Sequence, residues 1–241
     1  MFYRTADLGG VVLAVDIAHN DAPWAEWERL LRRALSATVS LSDDQLLLIR
    51  DLQGRSFRPR EPAPGVVPRI GAVLIVLYPD AADLRLLLTV RSNRVASHRG
   101  EVSLPGGAAD PDDDGPAATA LRECAEELGI APDAVTVLGT LTPVYILPSN
   151  FRITPVVGLL RTLPHFTINH HEVDRVITVT LRELLDPALV VVERWTLHGH
   201  EVLVPYFAIA GYKVWGATAL ILSELTARMR IARIAYNAEA S

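Results

Sequence analysis

Residues 122–130 read Arg122-Glu123-Cys124-Ala125-Glu126-Glu127-Leu128-Gly129-Ile130. Helical spacing over Pro116–Leu128 predicts a helix, with Gly115-Pro116 a natural start and Gly129 a natural C-cap. On that helix Glu123, Glu126 and Glu127 stand at i, i+3 and i+4, so three carboxylates share one face. A solvated acidic face can carry such repulsion in water. A hard divalent cation that takes oxygen ligands, such as Mg²⁺, stabilises the cluster far better, which makes these three residues candidate metal ligands. Arg122, four residues before Glu126, is placed to brace it by an ion pair. Ala120, Leu121, Cys124 and Leu128 form an apolar face that anchors the helix on a sheet, with Cys124 as a small core residue.

Upstream, Leu104-Pro105-Gly106-Gly107 supplies backbone that a phosphate or a metal can approach without side-chain obstruction. Ahead of it lie Arg91, Arg94, His98 and Arg99, a local positive cluster in an otherwise acidic chain. Arginine forks match phosphate oxygens, so the cluster reads as substrate recognition in preference to an ordinary basic surface loop. Asp110, Asp112, Asp113 and Asp114 read as a polar loop capping the helix start.

Further out, Trp27, Leu30, Leu31 and Ala34 predict one helix. Leu46, Leu47 and Ile49, after the start signal Ser42-Asp43-Asp44, predict a second. Residues 58–68 carry four prolines and read as an extended connector. Residues 1–65 are therefore expected to form an N-terminal helical extension, and 66–241 the main domain. Ile70–Tyr78 and Arg85–Val90 predict a hairpin across Pro79–Asp83. Strands are expected at Val135–Leu141, Ile153–Leu160, Val173–Thr180, Arg194–Leu197 and Val202–Ile209, and a closing amphipathic helix at Trp215–Met229. Few helices among many strands predict a mixed α/β fold, a mixed sheet covered on its faces. Trp215-Gly-Ala-Thr218 reads as packing at a helix start. His170-His171 and His198-x-His200 lack convincing zinc-ligand spacing.

The chain has 241 residues, half of them apolar, and a formal net charge of −5. No global positive field exists to attract nucleic acid or an acidic membrane, so phosphate binding must be local. One cysteine excludes an internal disulfide framework and fits a reducing compartment. The first twenty residues lack the regions of a signal peptide, and the longest apolar run is too short to span a bilayer. A soluble, cytoplasmic protein is expected.

Gly107, an acid at Asp113, and then Arg-Glu-x-x-Glu-Glu-x-Gly-Ile over 122–130 resemble the signature of the Nudix hydrolases. The family's general pattern has Glu where this chain has Asp113, and one residue fewer between that acid and the Arg. Leu87-Leu-Thr-Val-Arg-Ser92, Gly100 and Leu104-Pro-Gly-Gly107 are similar to the extra motif of the coenzyme A diphosphatase branch, which shares the longer loop. Thr154-Pro-Val-Val-Gly158, His171-Glu-Val173 and Val214-Trp-Gly-Ala-Thr218 also look like that branch. Ala96 stands where the branch has Arg, and Leu104 where it has Phe. The likeness runs from about Arg69 to about Arg230.

The resemblance implies a Nudix-type α/β/α sandwich and metal-dependent cleavage of a diphosphate in a nucleotide-containing small molecule. It implies Mg²⁺ or Mn²⁺ on Glu123, Glu126 and Glu127, catalytic roles for those residues and Arg122, and a fourth acid at Glu172. Arg91, Ser92, Arg94, Arg99, Gly106 and Gly107 would contact substrate, and Glu126 or Glu172 would take the proton from water. Coenzyme A would be split into phosphopantetheine and adenosine 3′,5′-bisphosphate. The alternatives are ADP-ribose, another nucleoside diphosphate derivative or a dinucleotide, and a non-catalytic binding or regulatory module. No nucleic-acid or membrane partner is expected, and a homodimer is left open.

Overall fold

The apolar run Leu74–Leu77 is buried on both sides, as a strand must be when helices cover both faces of its sheet. Alternate side chains go opposite ways: Leu74, Val76 and Tyr78 join one core, Ile75 and Leu77 the other. The structure is a computed structural model; it describes residues 22–92 and 101–239, with side chains as far as Ala235.

In chain order the helices and strands are α1 (Ala25–Ser36), β1 (Arg50–Asp51), β2 (Arg69–Asp80), β3 (Asp83–Arg91), β4 (Val102–Ser103), β5 (Gly106–Ala108) and α2 (Gly115–Leu128). They continue with β6 (Val135–Thr140), β7 (Val144–Ile146), β8 (Phe151–Leu160), β9 (Val173–Thr180), α3 (Leu181–Leu184), β10 (Val190–Leu197), β11 (His200–Ile209), β12 (Tyr212–Val214) and α4 (Gly216–Glu239). The larger sheet is mixed. Its path runs β4-β3-β2-β8-β6, with β5 on β2, β7 on β8 and β9 on β3. Among the described residues only its β2–β8 pairing is parallel. Ala120, Cys124 and Leu128 of α2 cover one face, and Leu31 and Ala34 of α1 with Leu222 and Leu225 of α4 cover the other. This is the α/β/α sandwich that the sequence resemblance implied.

Two expectations are corrected. The second N-terminal helix is a single 3₁₀ turn at Asp43–Gln45, after which the chain is extended and pairs Arg50 and Asp51 with Leu203 and Val202. Leu46, Leu48 and Ile49 are all buried, and the Leu47 N–H donates to Ser223 Oγ at 3.0 Å, so contacts with α4 override the helical spacing. The late strands also do not extend the mixed sheet. β1, β11, β10 and β12 form a separate antiparallel sheet, whose own small core centres on Ile49, Val202 and Val204.

The segment that positions the site is β5. The C-terminal half of β2 pairs with β3, and its N-terminal half with Gly106–Ala108. The glycine arm is thereby laid across the sheet directly under α2.

Candidate functional site

Gly115, at φ +82, turns the chain into α2, Pro116 occupies its first turn, and Gly129 closes it in the left-handed conformation at φ +70. The helix presents its acidic face to the glycine arm. A Cβ at Gly107 would lie 2.5 Å from the Glu123 carboxyl, and one at Gly106, whose φ is +150, would lie 2.3 Å from the Ala72 carbonyl. Only glycine lets the arm sit this close to both helix and strand.

Arg122 organises the acids. Its Nε donates to Asp113 Oδ1 at 3.0 Å and its Nη2 to Asp113 Oδ2 at 3.1 Å and to the Ala108 carbonyl at 3.0 Å. Its Nη1 donates to Glu123 Oε1 at 3.0 Å and Glu126 Oε1 at 3.2 Å. The ion pair to Glu126 is thus present, accompanied by two others. Asp113 is not the helix cap that the loop reading anticipated: the N-cap position is Asp114, whose side chain makes no capping bond. Asp113 clamps Arg122 and accepts the Asp110 N–H at 2.8 Å. The Arg122 guanidinium holds its carboxyl far below the usual range.

The three glutamates differ in setting. Glu126 is exposed, Glu123 partly covered, and Glu127 buried at 4 % exposure. Burial foremost, then the negative charges of Glu172 and Glu123, pushes the Glu127 carboxyl up to about 8, although the Gly106 N–H and Arg91 pull the other way. Burial, with the charges of Glu126 and Glu172 adding to it, also raises Glu123 against the Arg122 bond.

Glu172 reaches this group from the turn before β9. The Asn169 N–H donates to the Glu127 carbonyl at 2.9 Å, and its side-chain Nδ2 to Glu172 Oε1 at 3.3 Å. Asn169 therefore joins the end of α2 to the fourth acid. Arg91 ends β3 at a bulge, and its Nε is buried without a hydrogen-bond partner among the described residues, while its charge is felt by Glu127. Ser92 is buried, and its N–H donates to the Glu172 carbonyl at 2.8 Å. Arg94, His98 and Arg99 lie outside the described residues.

Residues 68–202, which contain this whole constellation, match the NUDIX domain family. The chain belongs to the Nudix hydrolase family. It is 39% identical over 162 residues to Nudix hydrolase 15, mitochondrial, of Arabidopsis thaliana, covering 64% of this chain and 56% of that protein. It is 36% identical over 179 residues to the Nudix hydrolase NudL of Citrobacter koseri, covering 73% of this chain and 90% of that protein. The chain spans little more than half the length of the two plant relatives, 56% and 53%. Among solved structures, the M. smegmatis Nudix hydrolase RenU aligns with 18% identity and a TM-score of 0.44, over 78% of this chain and 94% of that one.

Nudix hydrolases generally use divalent metal ions. Among the described residues no three His, Cys, Asp or Glu side chains already enclose a common point. In this Nudix chain Arg122 holds one oxygen of Glu123 and one of Glu126, which leaves the second oxygen of each outside the clamp. The donor chemistry nevertheless fits a hard cation. Glu123, Glu126, Glu127 and Glu172 act on one another as like charges, and burial raises the Glu127 carboxyl further, a setting that a bound cation offsets. Among the described residues no helix is long and apolar enough to cross a membrane.

Proposed function

We propose that this Nudix chain hydrolyses the diphosphate bond of a nucleotide-containing small molecule, with coenzyme A or a derivative as its substrate. Phosphopantetheine and adenosine 3′,5′-bisphosphate would be the products. The observation that carries the reading is the Arg122 clamp on Glu123 and Glu126, with Glu123 packed against Gly107 and Glu127 buried beside the Gly106 N–H.

In this reading Glu123, Glu126 and Glu127 hold Mg²⁺ or Mn²⁺, which when bound neutralises phosphoryl charge and lowers the pKa of the attacking water. Arg122 fixes the direction of the ligands and is neutralised by Asp113, so it does not compete for substrate phosphate. The side-chain-free glycine arm admits the diphosphate. Glu172, oriented by Asn169, or Glu126 takes the proton of the attacking water. Arg91, whose Nε has no partner among the described residues, offers a donor to a phosphate oxygen. Coenzyme A is favoured over other diphosphates by the motif similarity at 87–92 and 104–107. Leu104, where that branch has Phe, is a buried core side chain, so this departure falls on packing.

The test is hydrolysis of coenzyme A, dephospho-coenzyme A, ADP-ribose and a dinucleotide, with Mg²⁺, with Mn²⁺ and with chelator. Metal-dependent cleavage fastest on coenzyme A is expected. Faster cleavage of ADP-ribose transfers the reading to that substrate, and no cleavage of any of them ends it.

A further inference from the structure

A cavity of about 350 Å³ lies between residues 46–61, the loop Thr142–Leu147 and the first turns of α4. That is the size of a small-molecule site. Its walls are largely apolar, with Leu48, Ile49, Val144 and Leu220 among them and Tyr145 as the aromatic member.

Most of its charged groups already have partners. Glu61 accepts from Arg152 at 2.5 Å, and Arg60 donates to Asp43 at 2.9 Å. Glu224 accepts the Thr142 N–H at 3.1 Å and Arg228 Nε at 2.8 Å. Arg58 differs. Its guanidinium makes no hydrogen bond or ion pair among the described residues, and it is half-buried. Burial lowers its pKa, and Glu101 is the anion whose charge it feels. A partly desolvated guanidinium with unused donors favours an anion that brings oxygens to it.

The cavity adjoins the catalytic arm at two points. Arg58 lies near enough to Glu101 to feel its charge, and the Glu101 carbonyl accepts the Arg91 N–H at 2.9 Å. Gly216 and Ala217 at the start of α4 line the cavity, and Thr218, the next residue, donates its Oγ1 to the Val102 carbonyl at 3.1 Å. Glu101 and Val102, five and four residues before Gly106, thus adjoin residues that border the cavity.

We propose that this cavity receives the phosphorylated nucleoside end of the substrate, with Arg58 meeting a phosphate on its sugar and the apolar walls covering its ring system. Residues 46–61 thereby supply part of the specificity. The proposal rests on the diphosphatase reading for its substrate, but the binding it describes needs no turnover.

The test is calorimetric binding of adenosine 3′,5′-bisphosphate and adenosine 5′-monophosphate to the metal-free full chain. Wild type, Arg58→Gln and Ala217→Phe are compared, each shown by thermal melting to be folded. Wild type should prefer the bisphosphate by about tenfold or more, the scale of a charge-assisted contact. Arg58→Gln should abolish the preference, and Ala217→Phe, which fills the cavity, should weaken both ligands. Equal affinities in wild type, a preference that survives Arg58→Gln, or no binding of either nucleotide overturns the assignment. Metal-dependent hydrolysis without the preference removes the cavity and keeps the proposed function. The preference without hydrolysis does the reverse.

Discussion

Arg122 and Asp113, nine residues apart on opposite sides of a helix start, are joined by two hydrogen bonds of 3.0 and 3.1 Å. The same guanidinium reaches Glu123 and Glu126, so the loop acid sets where the helix acids point. Asp113→Asn keeps the shape and removes the charge. A lost supporting contact to a ligand-bearing group costs roughly 10–100-fold in activity or metal affinity, and hydrolysis should fall by that factor in a protein that still melts cooperatively, at a somewhat lower temperature because the ion pair to Arg122 is gone. Because Asp113 is held well below the usual carboxylate range, it stays ionised down to strongly acidic pH and should add no step to the activity profile between about pH 5 and 8. Wild-type rates in Asp113→Asn would separate the clamp from catalysis.

Glu127 is buried beside two other acids, a setting that a cation relieves. Glu127→Gln should lower hydrolysis by orders of magnitude with the fold intact. It should also reduce the thermal stabilisation that millimolar Mg²⁺ or Mn²⁺ gives wild type, since a ligand stabilises the folded state only in proportion to its affinity. Equal metal-induced shifts in the two proteins would take Glu127 out of the ligand set.

The helix that carries the acids is legible because each end is marked by a residue type whose conformation is needed there: Gly115-Pro116 at the start and Gly129 in the left-handed region at the end. β9 matches the alternation in Val173–Thr180 for the same kind of reason, a pattern set by local geometry. Where the chain takes its conformation from distant partners, the sequence is silent. Leu46–Ile49 has helical spacing, but Ser223 on α4 captures its backbone. Gly106-Gly107-Ala108 has no strand-forming residue and becomes a strand because nothing else fits between Ala72 and Glu123. The Asp113 carboxylate looks like a cap until Arg122 is seen to fold back onto it. Asn169 carries no motif and gains its place only through the tertiary meeting of α2 with the turn before β9.

Glu28 anchors α1 to the end of β8. It accepts from Arg161 at 2.5 and 3.0 Å and from Arg32 at 2.8 Å. Burial works to raise its pKa, but the bonds from Arg161 and Arg32 outweigh it and leave the carboxyl below its ordinary value. A folded-state pKa below the unfolded one stabilises the protein above the unfolded value, and that stability is lost as pH falls through the folded value. Glu28→Gln should therefore cost about 1–2 kcal/mol at neutral pH, allowing for partial solvent screening. The difference from wild type should shrink once pH drops below about 4. Urea midpoints at neutral and acidic pH read this directly, and a gap that persists unchanged in acid would contradict the ion-pair origin.

Asn169 tests whether Glu172 belongs to the reacting group. Its Oδ1 accepts the His171 N–H at 3.1 Å and its Nδ2 donates to Glu172 Oε1 at 3.3 Å, while its backbone N–H caps the Glu127 carbonyl. Asn169→Asp preserves the backbone bonds and the acceptor to His171, but turns a carboxylate oxygen toward Glu172 where a donor stood. The turn should keep its shape and Glu172 should be displaced by the repulsion between the two carboxylates. If Glu172 takes the proton from the attacking water, kcat should fall about tenfold or more with little change in KM, the signature of a contact used in the transition state. Glu172→Gln should lower kcat further, and adding Asn169→Asp to it should cost almost nothing more, since both changes act through one carboxylate. Additive losses in the double variant would place Asn169 in support of α2 alone and leave Glu126 as the proton acceptor.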